Sequence, residues 1–290
     1  MAIVLSTPDV DGLNGAVDAL REWQHDGAPS QLHPGDIGWN WRPGAEATAD
    51  STRLWSRDGR ILALGLLDGH EVLRLTIAPD AQRDDELAHR LVEDLSDPER
   101  GVLSDGSKGK VCADAPAGSL VRELLAADSW TEDEPWTPLR RDLAEPVPAH
   151  GLRIEVAGPE QAELRTEIHR ASFDGSRFSA DHWRVMASCA AYADARCLIG
   201  YDAAGTPVAA ATVWSAGPGR PGLLEPLGVH RDHRGHGHGR SISLAAAAAL
   251  RDLGSSSAVV CTPSANVVGV TTYRSAGYTR RPEIRDLARP

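Results

Sequence analysis

Two stretches of the chain carry the same succession of apolar periods. In the first, apolar residues recur at helical spacing over 13–24. They then fall in two strand-like runs, 52–55 and 61–67, flanking the polar turn Arg57-Asp58-Gly59. Helical spacing buries a stripe and alternation buries a face, so a helix followed by a hairpin is expected. A strand over 71–77, a helix over 84–95, a strand around Val111, a helix over 117–127 and a strand over 137–143 follow. The second stretch reads similarly: a strand over 152–156, a helix over 159–172 with Pro159 in its first turn, and a helix over 180–190. A hairpin then spans 197–201 and 208–214 around Asp202-Ala203-Ala204-Gly205. After it come a strand over 223–229, a long alanine-rich helix, a strand over 258–261, a short helix and a last strand. Between the stretches, Glu145-Pro146-Val147-Pro148-Ala149-His150-Gly151 has no period and reads as a linker. The expected organisation is a tandem repeat of one domain, 1–144 and 152–290 joined by 145–151, in the mixed α/β (α+β) class.

The densest chemistry lies where the 223–229 strand meets the alanine-rich helix. The junction reads His230-Arg231-Asp232-His233-Arg234-Gly235-His236-Gly237-His238-Gly239-Arg240. Three glycines at alternate positions permit a tight turn with several N–H groups pointing one way. The helix beginning there adds unpaired amides and the positive end of its dipole, which together make an anion site. A triphosphate cradle is excluded, because no Gly-Lys-Ser/Thr follows the glycines. The dinucleotide fingerprint is excluded too, since the spacing is Arg-x-x-Gly-x-Gly and not G-x-G-x-x-G.

This pattern, after a strand carrying Glu225, resembles the acyl-CoA site of the GNAT superfamily of N-acyltransferases. A second segment agrees: Asn266, then Val267-Val268-Gly269, then Tyr273 and Gly277-Tyr278, in the order of that family's later signature, with Gly269 where Ala is usual. The resemblance implies two GNAT-like domains, each a mixed, mostly antiparallel sheet flanked by helices. It also implies acetyl transfer from acetyl-CoA to the primary amine of a small molecule. The cofactor's phosphates would meet Arg234, Gly235, His236, Gly237, His238, Gly239 and Arg240. Leu227, Gly228 and Val229 would pair with its pantetheine arm, and Asn266 and Tyr273 would complete the cofactor site. Glu225 is the expected base and Tyr273 the expected acid, its phenol being protonated at neutral pH. Asn266 also stands where a helix N-cap is wanted. In domain order the chain is similar to mycothiol synthase and related actinobacterial acetyltransferases, so a cysteinyl pseudodisaccharide is an alternative acceptor. A CoA-binding sensor or scaffold without turnover is a further alternative.

Matching Ile77 to Val229 puts Gln82 at Arg234, and Arg83, Asp85 and Leu87 at the three glycines, with Leu73 at Glu225. Asp84, Asp85 and Glu86 would then sit where phosphates belong and repel them. The first copy is therefore expected to be non-catalytic, and Trp39, Trp41 and Trp55 to be core anchors or pocket walls.

Composition changes this picture little. The 290 residues are 41% hydrophobic and 24% charged, as in ordinary globular proteins. The net charge of −11 disfavours nucleic acid and mildly favours a cationic substrate. No apolar run is long enough to cross a bilayer and the start has no leader pattern, so no membrane partner is expected. Four scattered cysteines suggest a reducing, cytoplasmic setting. His230, His233, His236 and His238 lack the spacing of a metal site, so none is expected. A monomer is favoured, because tandem domains can mimic a dimer.

Overall fold

In a computed structural model, residues 2–69, 71–104 and 109–289 are described. The upstream half runs β1 (Val4–Ser6), α1 (Val10–Trp23), α2 (Pro34–Asn40), α3 (Ala45–Asp50), β2 (Thr52–Arg57), β3 (Arg60–Asp68) and β4 (Val72–Ile77). It continues with α4 (Asp85–Ser96), β5 (Val111–Asp114), α5 (Leu120–Ala127) and β6 (Thr131–Asp142). The downstream half runs β7 (Arg153–Val156), α6 (Ala162–Ser172), α7 (Ala180–Ala187), β8 (Ala195–Tyr201), β9 (Pro207–Trp214) and β10 (Gly222–Val229). It ends with α8 (His238–Asp252), β11 (Ser257–Pro263), α9 (Val267–Ser275), β12 (Thr279–Arg280) and β13 (Ile284–Arg289).

Two short helices, α2 and α3, escape the sequence pattern because seven and six residues hold too little periodicity to register. Strand β6 begins six residues before the expected start, since its acidic, proline-containing opening Thr-Glu-Asp-Glu-Pro does not alternate. The helix expected over 180–190 stops at Ala187 and is followed by a short 3₁₀ turn over Ala190–Asp194.

All the strands join one mostly antiparallel sheet, ordered β1-β2-β3-β4-β5-β13-β6-β11-β10-β9-β8-β7, with β12 against β6. This order is symmetric about the line between β13 and β6. Each half's final long strand crosses into the other half's sheet. Strand β6 runs antiparallel to β11 through seven pairs, from Ser257↔Asp142 to Pro263↔Trp136. Strand β13 does the same against β5, with Leu287 opposite Ala113. The downstream sheet is therefore completed by a strand lying before the linker.

Strand β9 shows how the sheet divides its core. Ala209, Ala211 and Val213 pack under α8 with Ile242 and Leu250, whereas Ala210 and Trp214 face the other way, into a core shared with the upstream half. That alternation is the two-residue period of a strand buried on both sides. Trp214 is fully buried and lies directly on α2. A Cβ added to Gly35 would come within 2.4 Å of Trp214, and one added to Gly38 within 2.3 Å. Only glycine allows the helix to approach this closely. A Gly38→Leu substitution is expected to lift α2 from β9 and lower stability by about 1–3 kcal/mol, read as a fall in the urea midpoint.

Two features of β10 shape the site. It pairs in parallel with β11 at Gly222↔Ala258 and Leu223↔Val259, and no further pairing follows although both strands continue. The strands therefore diverge into a V. Against β9, the register shifts between Leu224 and Leu227, so Glu225 and Pro226 both stand opposite Thr212. The bulge falls where proline, lacking an N–H, cannot contribute to the ladder.

Candidate active site

Glu225 sits on the bulge at the mouth of the V. Leu224 is buried beneath α8, so the next side chain turns to the opposite face, toward α2. The backbone carbonyl of Glu225 accepts a 2.7 Å hydrogen bond from the Trp214 indole N–H, which fixes the bulge. Glu225 is half-buried, and charges from the upstream half surround its carboxyl. Burial, then the Asp36 carboxylate, push its pKa up to about 7, while Arg74 and Arg42 pull against the rise. A carboxylate half-ionised at neutral pH matches the requirement for a general base.

The upstream charges are held by a defined local structure. Asp36 closes a capping box at the start of α2, accepting the His33 N–H at 2.7 Å. Its other oxygen lies 3.8 Å from Arg74, which also reaches Asp68 at 3.5 Å. The His33 ring takes the Gly35 N–H on Nδ1 at 3.0 Å, so Nε2 carries the proton and donates to the Pro221 carbonyl at 3.1 Å. Burial lowers the His33 pKa to about 4, which keeps the ring in that neutral tautomer. Pro221 directly precedes β10, so His33 ties the start of α2 to the strand bearing Glu225.

Beyond β10, a short 3₁₀ turn (Arg231–His233) leads into the glycine loop. Gly235 and Gly237 have φ of 82° and 81°, the left-handed region where a side chain is strained. Helix α8 starts without a side-chain cap, and its Ser241 N–H bonds the Gly237 carbonyl. The N–H groups of His238, Gly239 and Arg240 thus have no intrahelical partner. Gly239 allows close approach to α9, since an added Cβ would lie 2.9 Å from Thr272. The arginine side chains serve elsewhere. Arg234 donates to the Ser172 carbonyl at 2.8 Å, and Arg231 to those of Ala171 and Arg170, so both cap the end of α6. Arg240 donates to the Ser275 carbonyl at the end of α9. His236 and His238 are exposed or half-exposed, with rings stacked 5.9 Å apart.

The glycine loop thus presents free backbone amides, while the guanidinium groups of Arg234 and Arg240 bond helix-end carbonyls. A Gly237→Glu substitution would strain the turn and bring negative charge to these amides. It is expected to weaken acetyl-CoA binding by about 10- to 100-fold, a direction set by like-charge repulsion at an anion site, measured by calorimetry.

Tyr273, on α9, is nearly buried, and burial followed by the Glu225 charge pushes its pKa well above the usual phenol value. The phenol stays protonated, and its hydroxyl has no hydrogen-bond partner among the described residues. Asn266 is the N-cap of α9: its Oδ1 accepts the Gly269 N–H at 3.0 Å and its Nδ2 donates to Thr262 at 2.9 Å. Asn266 is exposed whereas Tyr273 is buried. Leu227, Gly228 and Val229 pair with Ala211, Ala210 and Ala209 on one side, leaving the other edge of β10 open to the V. At Gly228 a Cβ would stand 2.4 Å from the Ser172 Cβ and 3.0 Å from the Phe173 ring. Cys261, across the gap on β11, is exposed over the residue as a whole, yet the crowding of its thiol, followed by the Asp114 charge, pushes it up to about 12.

The upstream half handles the equivalent positions differently. Gln82 donates to the Ile77 carbonyl at 2.8 Å, as Arg234 Nε approaches that of Val229, so the two positions correspond. At the start of α4, however, the Asp84 side chain caps the Leu87 N–H at 2.9 Å, and Arg57 binds both Asp84 and Glu86. The amides are occupied by the chain's own carboxylate. Because β10 has one extra residue at its bulge, Glu225 corresponds in space to Arg74 rather than Leu73, and a cation replaces the carboxylate. Asp36, Arg42, Asp68 and Arg74 did not stand out in the sequence, because isolated charges carry no motif. Gly35 and Gly38 beside Trp39 and Trp41 were the available hint of a close helix contact. Trp55 is core, bonded to Asp94, and Trp41 is buried, while Trp39 is half-exposed.

Comparison with known proteins places this geometry. Residues 162–278 match the family model "Acetyltransferase (GNAT) family". That match falls within the downstream half and assigns the stretch from the start of α6 to Tyr278 to the acetyltransferase family. A GCN5-related N-acetyltransferase from Sphaerobacter thermophilus is similar in fold at 17% identity and a TM-score of 0.59, covering 99% of this chain and 95% of that one. A tandem GNAT protein from the clavulanic acid biosynthesis pathway superposes with a TM-score of 0.63 at 16% identity, covering 99% and 98%. A GNAT-family acetyltransferase from Colwellia psychrerythraea gives 0.62 at 14%, covering 99% of each chain. A search of the curated proteins found no match. No helix among the described residues is long and apolar enough to cross a membrane.

Proposed function

We propose that the protein transfers an acetyl group from acetyl-CoA to the primary amine of a small molecule, and that the downstream half performs the chemistry. The observation that carries this reading is Glu225, poised near pKa 7 at a parted strand pair whose far end meets an uncapped helix N-terminus. The amides of His238 to Arg240 suit a diphosphate, and the open edge of β10 from Leu227 to Val229 suits a pantetheine arm. The amine nitrogen attacks the thioester carbonyl, forming C–N as C–S breaks. Glu225 takes the amine proton, directly or through water, and Tyr273 returns a proton to the departing thiolate. Cys261 holds its proton too tightly at neutral pH to serve as a covalent relay.

The upstream half (1–144, before the 145–151 linker) is the non-catalytic partner of the catalytic half (152–290). Its phosphate position is plugged by Asp84, while its α2 and β4 supply the charges around Glu225. A cytoplasmic monomer fits a chain that builds a two-fold sheet within itself, and the chemistry calls for no metal. Thiol release from acetyl-CoA, screened against polyamines, aminoglycosides, amino acids and cysteinyl-glucosaminyl-inositol, tests the reading. Tyr273→Phe is expected to lower kcat by about 10²-fold or more with little change in acetyl-CoA affinity. Unchanged turnover would remove Tyr273 from the acid role.

A further inference from the structure

Between α2 and α6 the two halves build a wall of rings. Trp39 lies 5.3 Å from Phe178 and 5.6 Å from His169, and His169 lies 4.8 Å from Phe178 and 4.7 Å from Phe173. Phe173 ends the row beside Gly228 and is 37% exposed, so the wall reaches solvent at that end. The wall thus runs from the upstream half to the strand edge where the thioester would lie.

Two guanidinium groups flank this wall, and among the described residues neither has a carboxylate in salt-bridge contact. Arg42 stacks over Trp39 with Cζ 3.8 Å from the ring centre, and its Nε is fixed to the Trp39 carbonyl. Stacking and that single bond leave its two terminal nitrogens presented as a fork. Behind the wall, Arg165 is 1% exposed, bonded to Cys197 and Thr212, with Nη1 unpartnered. His169 lies between them; burial and the charges of Arg165 and Arg42 lower its pKa to about 3, so it adds no charge of its own. Arg165 is a buried cation with no carboxylate in contact, which is costly, and an anionic ligand close by relieves it. The half-buried Arg42 feels the Asp68 and Glu225 charges without a direct ion pair. Glu225 in turn feels the Arg42 charge.

We infer that the acceptor amine also carries a carboxylate, that Arg42 receives that carboxylate, and that the rings from Trp39 to Phe173 receive a flat apolar body beside it. The substrate class is therefore an amino acid or a molecule with an amino-acid-like end, its amine directed to Glu225 and its acid to the guanidinium fork. A planar fork matches a carboxylate in two parallel hydrogen bonds, which a lysine cannot reproduce. The inference rests on the acyl-transfer reading of the same site.

The test uses pairs of amines that differ only by a carboxylate, such as phenylalanine with phenethylamine and leucine with isopentylamine. For each pair, kcat/KM and calorimetric affinity are measured on the full-length wild type, Arg42→Gln and Arg42→Lys. The expected wild-type preference for the acid is about 10- to 100-fold, the range of a charge-assisted hydrogen bond. In Arg42→Gln the ratio within each pair falls close to one, whatever happens to the absolute rate, and Arg42→Lys recovers part of it. A wild-type ratio at or below one in both turnover and affinity overturns the inference. So does a ratio that survives in Arg42→Gln. If the acids bind preferentially but no thiol is released with any amine, the anion site stands and the acyl-transfer reading fails.

Discussion

Replacing Glu225 by glutamine is expected to lower kcat/KM by about 10²- to 10⁴-fold at pH 7, the usual contribution of a positioned general base. The substitution is close to isosteric, and the Trp214 bond uses the backbone carbonyl, so the bulge is retained. The pH profile gives the sharper reading. A base must be ionised to act, and this carboxyl is pushed up to about 7, so wild-type kcat/KM should rise with pH through that value and then level. With the same acceptor, the limb attributable to Glu225 disappears in Glu225→Gln. Two upstream substitutions should move it in opposite directions. Asp36→Asn removes a negative neighbour and shifts the limb to lower pH. Arg74→Gln removes a cation and shifts it higher. A wild-type profile flat between pH 6 and 8, or one unchanged in Asp36→Asn, would separate the upstream half from the chemistry.

Deleting residues 1–144 is expected to abolish folding of the remainder, not only its activity. Strand β6 supplies seven paired residues to β11 and also adjoins β13, whose other neighbour, β5, is upstream as well. Without them β11 exposes a long unpaired edge and β13 has no partner strand. The truncated chain should lack a cooperative melt in circular dichroism and fail to bind acetyl-CoA, while co-expression with residues 1–144 should restore both. A soluble, cooperatively melting fragment that released thiol would show that the exchanged strands are dispensable.

Much of the fold was legible because the long elements declare their periods. Helix α1, the β2–β3 and β8–β9 hairpins, and the strand–loop–helix around Gly235 lie close to where the pattern put them. Near-repetition of the element order also pointed to two copies. The exchange of β6 and β13 was not legible, because strand neighbours far apart in sequence leave no local trace, and β6 opens on charged residues. The glycine loop at the start of α8 and the place of Glu225 on the strand before it were readable as motif and position. The match of Glu225 to Leu73 slipped by one residue, because a bulge adds a residue without changing composition. What escaped entirely was the cross-half environment. Asp36, Arg42 and Arg74 acquire meaning only when α2 docks on Trp214, and that contact depends on the absence of side chains at Gly35 and Gly38.

The most direct test of the catalytic half's assignment is calorimetric titration of acetyl-CoA into wild type, Gly237→Glu and Asp84→Asn. One equivalent should bind to wild type and to Asp84→Asn, and binding should be lost or severely weakened in Gly237→Glu. Undiminished binding in a folded Gly237→Glu protein, or two equivalents in wild type, would contradict a single cofactor site at the start of α8.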